Sequence, residues 1–106
     1  MELKEYQVLA MRTKGGLSDA EQIICGGLGI AGEAGEVADL IKKVAFHDHD
    51  LEVDKIKKEL GDVMWYIALL CDALSLSMDE ITEENIEKLK LRYPDGFSSE
   101  RSKNRE

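Results

Sequence analysis

Two pairs of acidic residues lie inside apolar stretches of this 106-residue sequence, where a folded chain would place its core. Glu33 and Glu36 form the first pair, and Glu59 and Asp62 form the second, each with a spacing of three positions. Burial of a bare carboxylate costs on the order of several kcal/mol, and four neighbouring carboxylates also repel one another. Divalent cations relieve both penalties, and Mg²⁺ prefers such hard oxygen ligands. The two pairs therefore indicate a site for two Mg²⁺ ions.

Spacing alone does not single out these pairs. A chain with 22 acidic residues in 106 has roughly four or five such pairs by chance, and this sequence has six. The other four are Glu2/Glu5, Glu36/Asp39, Glu80/Glu83 and Glu84/Glu87. On a helical wheel, Glu33 shares a face with Val37 and Leu40. Glu59 likewise shares a face with Val63, so the two selected pairs are the ones that lie against apolar stripes.

Protonation or ion pairs with lysine would also relieve the repulsion between the carboxylates. Protonation of four acids at neutral pH requires a large upward pKa shift in each of them. Most nearby lysines are predicted to project away from the acidic faces, namely Lys42, Lys57 and Lys58. Lys43 is predicted to lie near the edge of the face that carries Glu36. A metal site is therefore favoured, with purely structural acids as the alternative.

Helical periodicity and capping signals predict that four helices position these residues. The predicted helices are residues 3–13, 18–46, 52–76 and 77–93, with a polar loop at 47–50. Ser18 with Glu21 and Ser77 with Glu80 match the capping-box pattern at two helix starts. Pro94 ends the last helix. We expect an all-α fold with a four-helix bundle-like protomer.

Five glycines interrupt the first half of the second predicted helix. They are Gly26, Gly27, Gly29, Gly32 and Gly35. Because glycine lowers helix stability, they predict either a close approach of another backbone or a break near Gly26 and Gly27.

Composition restricts the partners and the compartment. The length predicts one domain, residues 1–97, followed by a charged tail at 98–106. The net charge of −8 argues against nucleic acid and anionic membranes as partners. The longest apolar run, residues 63–71, is too short to span a bilayer. A polar N-terminus and two cysteines without CxxC spacing favour a cytoplasmic location.

The third predicted helix is apolar on nearly all sides, because Met64, Trp65 and Ala68 lie off the stripe of Glu59. A helix without a polar face must be covered on more than one side. In so short a chain we expect a second protomer to provide this cover, with Trp65 at the interface.

The order and spacing of the acidic motifs resemble the all-α MazG-like nucleoside triphosphate pyrophosphohydrolases. The matching segments are residues 32–40 (GEAGEVADL), residues 59–63 (ELGDV), 23 positions from Glu36 to Glu59, and residues 85–97 (NIEKLKLRYPDGF). The resemblance covers about residues 18–97 and implies hydrolysis of a nucleoside triphosphate between the α and β phosphates. It also implies Mg²⁺, with Mn²⁺ as a substitute, and assembly into dimers or dimers of dimers.

The resemblance assigns roles to individual residues. It implies that Glu33, Glu36, Glu59 and Asp62 bind Mg²⁺, and it matches Tyr66 to a position where some relatives place an aromatic ring near the base. The remaining candidates are polar or cationic groups for binding the triphosphate. They are Asn85, Lys88 and Arg92, with Lys43, Arg101 and Arg105 as weaker candidates.

Other functions remain as alternatives. A non-catalytic helical interaction or regulatory module that retains the acidic cluster is the main one. A ferritin-like di-iron site would require Glu-x-x-His pairs on helices, but His47 and His49 lie in the predicted loop. The sequence has no GxxxxGK[ST] motif for a phosphate-binding loop of the Walker type.

Overall fold

The computed structural model describes residues 1–97 and 99–103, and it confirms the all-α class. The helices are α1 (Leu3–Ala10), which continues into a short 3₁₀ turn (Met11–Thr13), α2 (Asp19–Phe46), α3 (Val53–Ala73), α4 (Met78–Arg92) and a short α5 (Ser99–Lys103). The four predicted helices correspond to α1 to α4, with differences of one to three residues at most ends. The predicted tail contains α5, and the side chain of Arg101 and all of Arg105 lie outside the described residues.

Side-chain capping interactions mark where α2 and α4 begin. Ser18 Oγ accepts a hydrogen bond from the backbone N–H of Glu21 at 3.2 Å, and Glu21 Oε1 accepts one from the backbone N–H of Ser18 at 3.0 Å. Ser77 Oγ accepts one from the backbone N–H of Glu80 at 3.1 Å. These bonds satisfy amide groups that have no partner within the first turn of a helix.

α2 and α3 form an antiparallel hairpin, which is the main packing unit of the protomer. α2 is continuous through its glycines, so of the two expectations for them the close approach is the one observed. A Cβ atom at Gly26 would lie 3.0 Å from Cβ of Leu70, and one at Gly29 would lie 2.2 Å from Cδ1 of Tyr66. The two glycines therefore allow α3 to pack directly on the backbone of α2.

α1 covers the face of α3 that lies away from α2. The core cluster contains Ala10, Ala68, Cys71 and Met78, with Trp65 packed against it. The indole N–H of Trp65 donates hydrogen bonds to the carbonyl oxygen of Ala10 at 3.1 Å and to Oγ1 of Thr13 at 2.8 Å. The prediction that a second protomer covers Trp65 and Ala68 is therefore wrong, because the N-terminal segment of the same chain covers them.

Polar contacts fix the end of the hairpin that meets α1. Gln22, which is only 1% exposed, donates from Nε2 to the carbonyl oxygen of Leu69 at 3.2 Å and to Oδ2 of Asp72 at 3.0 Å. Lys14 Nζ lies 2.7 Å from the same oxygen of Asp72. This network connects the α1–α2 loop, α2 and α3.

α4 leaves the hairpin at a sharp angle. It packs on α1 and the end of α3, and its axis is bent by 103° from that of α3. Among the described residues, no single helix has the length and apolarity to cross a membrane, although α3 and α4 taken together as a bent pair meet that criterion.

Candidate metal centre

The middle of the α2–α3 hairpin brings the two acidic pairs together. Glu33 and Glu36 lie one turn apart on α2, and Glu59 and Asp62 lie one turn apart on the facing part of α3. Because the helices run antiparallel, residue 36 faces residue 59. Helical periodicity predicted which faces of α2 and α3 carry these residues. The packing of the hairpin brings those two faces opposite each other.

Three of the four carboxylates converge closely enough to bind one ion. Single carboxylate oxygens of Glu33, Glu59 and Asp62 all lie within 4.8 Å of one another. Glu36 lies beside this group, with its carboxyl within hydrogen-bonding contact of the carboxyl of Glu59. Glu33 and Glu59 are half-buried, whereas Glu36 and Asp62 are exposed. The cluster therefore has a covered inner edge and a solvent-accessible outer edge.

The inner edge contains two oxygens that the fold leaves unsatisfied. Oε2 of Glu33 and Oε2 of Glu59 are both buried and accept no hydrogen bond from any described residue. Buried polar atoms nearly always have a partner, and an unpaired charged oxygen is the costliest exception. Hard carboxylate oxygens in this arrangement match the preference of Mg²⁺. The residues present therefore fit a divalent cation.

The pKa values of two members reflect their mutual repulsion. The pKa of Glu36 is raised above its ordinary value, first by its hydrogen bond with the carboxyl of Glu59 and then by the charge of Glu59. The pKa of Glu59 is also raised, chiefly by its contact with the carboxyl of Glu33. The net effect of the neighbouring carboxylates is that Glu36 and Glu59 are harder to ionise, and a bound cation would reverse this effect.

Tyr66 lies one turn beyond Asp62, on the same side of α3. Its ring packs on the backbone of Gly29 and meets the ring of Trp65 edge to face, with centroids 5.1 Å apart. Burial raises the pKa of its hydroxyl, and the nearby groups of Cys25 and Glu33 add to the shift. Tyr66 therefore borders the cluster, and a role for it in base binding stays a prediction.

The predicted phosphate-binding groups lie on α2 and α4. Lys43 forms an ion pair with Asp39, with Nζ 3.0 Å from Oδ2. Asn85 and Lys88 are exposed on α4, and Arg92 is half-buried at its end. α4 packs on α1 and α3, and the assignment of these three residues to the substrate stays a prediction.

Two lysines that the sequence analysis did not select border the cluster. A groove of about 240 Å³ lies between α2 and α3, lined by Glu36, Asp39, Leu40, Lys55, Lys58 and Glu59. The expectation that Lys58 projects away from the acidic face is therefore wrong. Its backbone position is rotated from that of Glu59, but its long side chain still reaches the groove. The spacing of Lys55, Lys58 and Asp62 at steps of three and four was the signal that could have identified them.

Tyr6 of α1 was also missed. It is half-buried, and the charge of Asp62 adds to the effect of burial in raising the pKa of its hydroxyl. No pattern within α1 indicates this proximity, because it depends on how α1 packs against α3.

Comparison with known proteins agrees with this geometry. The family model described as the MazG nucleotide pyrophosphohydrolase domain matches residues 27–97, which include all four carboxylates. The chain is also 39% identical over 74 residues to the Gene 37 protein of Mycobacterium phage L5. That match covers 65% of this chain and 64% of the phage protein, so the chain spans less than two thirds of its relative's length. No solved structure matches.

Proposed function

Because this chain belongs to the MazG nucleotide pyrophosphohydrolase family, we propose that it hydrolyses a nucleoside triphosphate between the α and β phosphates. The products are a nucleoside monophosphate and pyrophosphate, and the reaction requires Mg²⁺ or, as a substitute, Mn²⁺. The observation that carries this proposal is the convergence of Glu33, Glu59 and Asp62 within 4.8 Å, with two buried oxygens that lack partners.

The four carboxylates are assigned two roles, metal binding and proton transfer. Glu33, Glu59 and Asp62 would hold the metal ions through their converging oxygens, and Glu36, the fourth proposed metal ligand, lies beside them. When bound, the ions polarise phosphoryl oxygens, lower the pKa of water and neutralise negative charge on the phosphates. Glu36 lies at the solvent-accessible edge of the cluster, where it can accept a proton from the attacking water.

The bond changes follow from these positions. The oxygen of water forms a bond to the α phosphorus, and Glu36 accepts the proton that water loses. The bond from the α phosphorus to the oxygen that bridges the α and β phosphates breaks, and its electron pair leaves with pyrophosphate. Tyr66, beside the cluster, contacts the nucleoside, and Asn85, Lys88, Arg92 and Lys43 are the further groups assigned to the substrate.

We also propose that the protein functions as a homodimer or homotetramer. Large apolar side chains are exposed on the hairpin, including Ile24 at 62% and Leu28 at 70%. α4 adds exposed Ile86 and Leu91, next to the polar residues assigned to the substrate. Exposed apolar patches of this kind mark interfaces. Assembly would cover them, and it gives α4 a route to the site of a second protomer.

Assembly is tested by sedimentation velocity on Leu28→Glu, with Lys57→Glu as a control that adds charge at a polar exposed position. We expect a smaller species for Leu28→Glu alone. A wild-type protein that sediments as a monomer at micromolar concentration would contradict the proposed assembly.

Activity is tested by screening canonical and modified dNTPs and NTPs with Mg²⁺ or Mn²⁺, with pyrophosphate and phosphate quantified separately. Pyrophosphate and the monophosphate in equal amounts are expected. Phosphate as the first product would contradict cleavage between α and β. Absence of turnover with every nucleotide would favour the alternative of a non-catalytic helical module. A cytoplasmic role in removing unwanted nucleotides from the pool is consistent with this chemistry.

A further inference from the structure

The groove beside the carboxylates contains a cation that the assigned roles do not use. Glu36 and Glu59 belong both to the acidic cluster and to the lining of this groove, so the groove opens directly from the proposed metal site. Its other charged groups are Asp39, Lys55 and Lys58. A substrate phosphate that extends from the metal site towards the α2–α3 loop would enter this groove.

Most of these groove charges are already paired. Asp39 forms ion pairs with Lys42 at 3.2 Å and with Lys43 at 3.0 Å. Lys55 Nζ lies 2.6 Å from Oε2 of Glu52. Within the part of the chain that the structure describes, Lys58 has no ion pair or hydrogen bond from its ammonium group. Lys58 is therefore the groove cation available to a ligand.

The two ends of the cluster differ in chemistry. Along α3, Lys58 precedes the ligands Glu59 and Asp62, and Tyr66 follows them. Lys58 and Tyr66 are separated by eight residues, or about 12 Å along the helix axis. The carboxylates thus lie between the groove that contains the unpaired lysine and an aromatic side chain that packs on Gly29. This polarity matches a nucleotide whose nucleoside lies near Tyr66 and whose terminal phosphates lie near Lys58.

We propose that Lys58 binds the β and γ phosphates of the substrate and stabilises the pyrophosphate leaving group. This inference rests on the proposed function. Cleavage between α and β leaves negative charge on the oxygen that departs with the β phosphate. The ammonium group of Lys58 is exposed in the free protein and would neutralise part of that charge when phosphates occupy the groove. Lys58 also partly offsets the negative potential of the cluster as the anionic substrate approaches.

The test measures binding of inorganic pyrophosphate in the presence of Mg²⁺ by isothermal titration calorimetry. Lys58→Gln should weaken binding by about three- to tenfold, the size expected for one hydrogen bond made by a solvent-exposed charge. Lys57→Gln is the matched control, because Lys57 is exposed on α3 and does not line this groove. Lys58→Arg should retain most of the affinity, since it keeps the charge. The stabilisation of Lys58→Gln by Mg²⁺ alone, measured as a melting-temperature shift, should equal that of the wild type.

The outcomes separate this inference from the proposed function. If the wild type shows the Mg²⁺ shift but Lys58→Gln and Lys57→Gln bind pyrophosphate equally, the role of Lys58 is overturned and the metal site stands. Failure of the wild type to bind pyrophosphate, with its Mg²⁺ shift intact, has the same meaning. If Lys58→Gln loses the Mg²⁺-dependent rise in melting temperature, the substitution weakens pyrophosphate binding by impairing the metal site. The direct contact between Lys58 and phosphate is then overturned. If the wild type itself shows no Mg²⁺ shift, the proposed metal site fails, and this inference fails with it.

Discussion

Tyr66 packs directly on the backbone of Gly29, so closely that a Cβ atom at position 29 would lie 2.2 Å from Cδ1 and 2.5 Å from Cγ of the ring. This contact joins α2 and α3 one turn before Glu33 and one turn after Asp62. It therefore holds both the aromatic ring and the spacing of the helices next to the carboxylate cluster.

Gly29→Ala should lower the free energy of unfolding by about 1–3 kcal/mol, because the methyl group overpacks the interface and displaces Tyr66. Gly27→Ala is the control, since a Cβ atom there meets nothing within 4 Å. At that position alanine should stabilise the helix by up to about 1 kcal/mol. Urea denaturation measures both changes, and equal effects at the two positions would contradict the close packing of Tyr66.

Glu59→Gln should abolish both turnover and the Mg²⁺-dependent rise in melting temperature while it preserves helicity. The substitution removes one of the three converging carboxylates and leaves an amide that binds Mg²⁺ weakly. Without divalent ions the variant should melt at a higher temperature than the wild type, since it relieves repulsion with Glu33 and Glu36. Glu84→Gln, on exposed α4, is the control. Retained turnover in Glu59→Gln would remove Glu59 from the metal site.

The acidic cluster should give the metal-free protein a distinctive pH dependence. The pKa values of Glu36 and Glu59 are raised in the folded state, so the folded protein binds more protons than the unfolded chain between the ordinary glutamate pKa of about 4.3 and the raised values. The contribution of these groups to stability therefore falls as pH rises through this window. Other acids also titrate nearby, so the quantity to measure is the difference in melting temperature between the wild type and Glu59→Gln.

That difference should grow as pH increases through the window, and saturating Mg²⁺ should reverse its sign at neutral pH. Mg²⁺ binds the ionised carboxylates, and the variant lacks one of them. A difference that does not change between pH 4 and 7 would contradict the raised pKa values.

Gln22→Leu should lower the free energy of unfolding by about 1–3 kcal/mol. The substitution keeps a side chain of similar size but leaves the buried carbonyl of Leu69 without its donor and removes a bond to Asp72. Lys57→Met, at an exposed position, should change stability by less than about 0.5 kcal/mol. Chemical denaturation measures both, and a neutral Gln22→Leu would mean that this network does not stabilise the fold.

Trp65→Phe should loosen the packing of α1 without changing the size of the assembly. It removes the hydrogen bonds from the indole N–H to Ala10 and Thr13, at a cost of about 1–2 kcal/mol. Thr13→Val removes one of these bonds and should have a smaller effect. Proteolysis near the N-terminus should accelerate in Trp65→Phe. If Trp65→Phe sediments as a smaller species than the wild type, Trp65 lies at a subunit interface.

Several features of this protein follow from local sequence. The capping residues Ser18 and Ser77 start their helices because their hydroxyls bond amides only three residues away. The faces of Glu33 and Glu59 follow from helical periodicity, which holds wherever the helix forms. These interactions lie within a few residues of the chain, so the all-α class and the acidic faces were predictable.

Tertiary packing decided the rest. Whether Gly26 and Gly29 break α2 or accept α3 depends on a partner about 40 residues away. The burial of Trp65 by α1 depends on contacts between residues more than 50 positions apart. The apolar residues on nearly all sides of α3 therefore did not reveal whether the same chain or a second protomer would cover Trp65. Lys58 reaches the groove beside Glu36 because its flexible side chain extends beyond its position on the helical wheel and α2 supplies the opposite wall. Sequence alone thus indicated which carboxylates face the interior of the hairpin, whereas only the three-dimensional packing determined which of their oxygens converge and which lysine lies beside them.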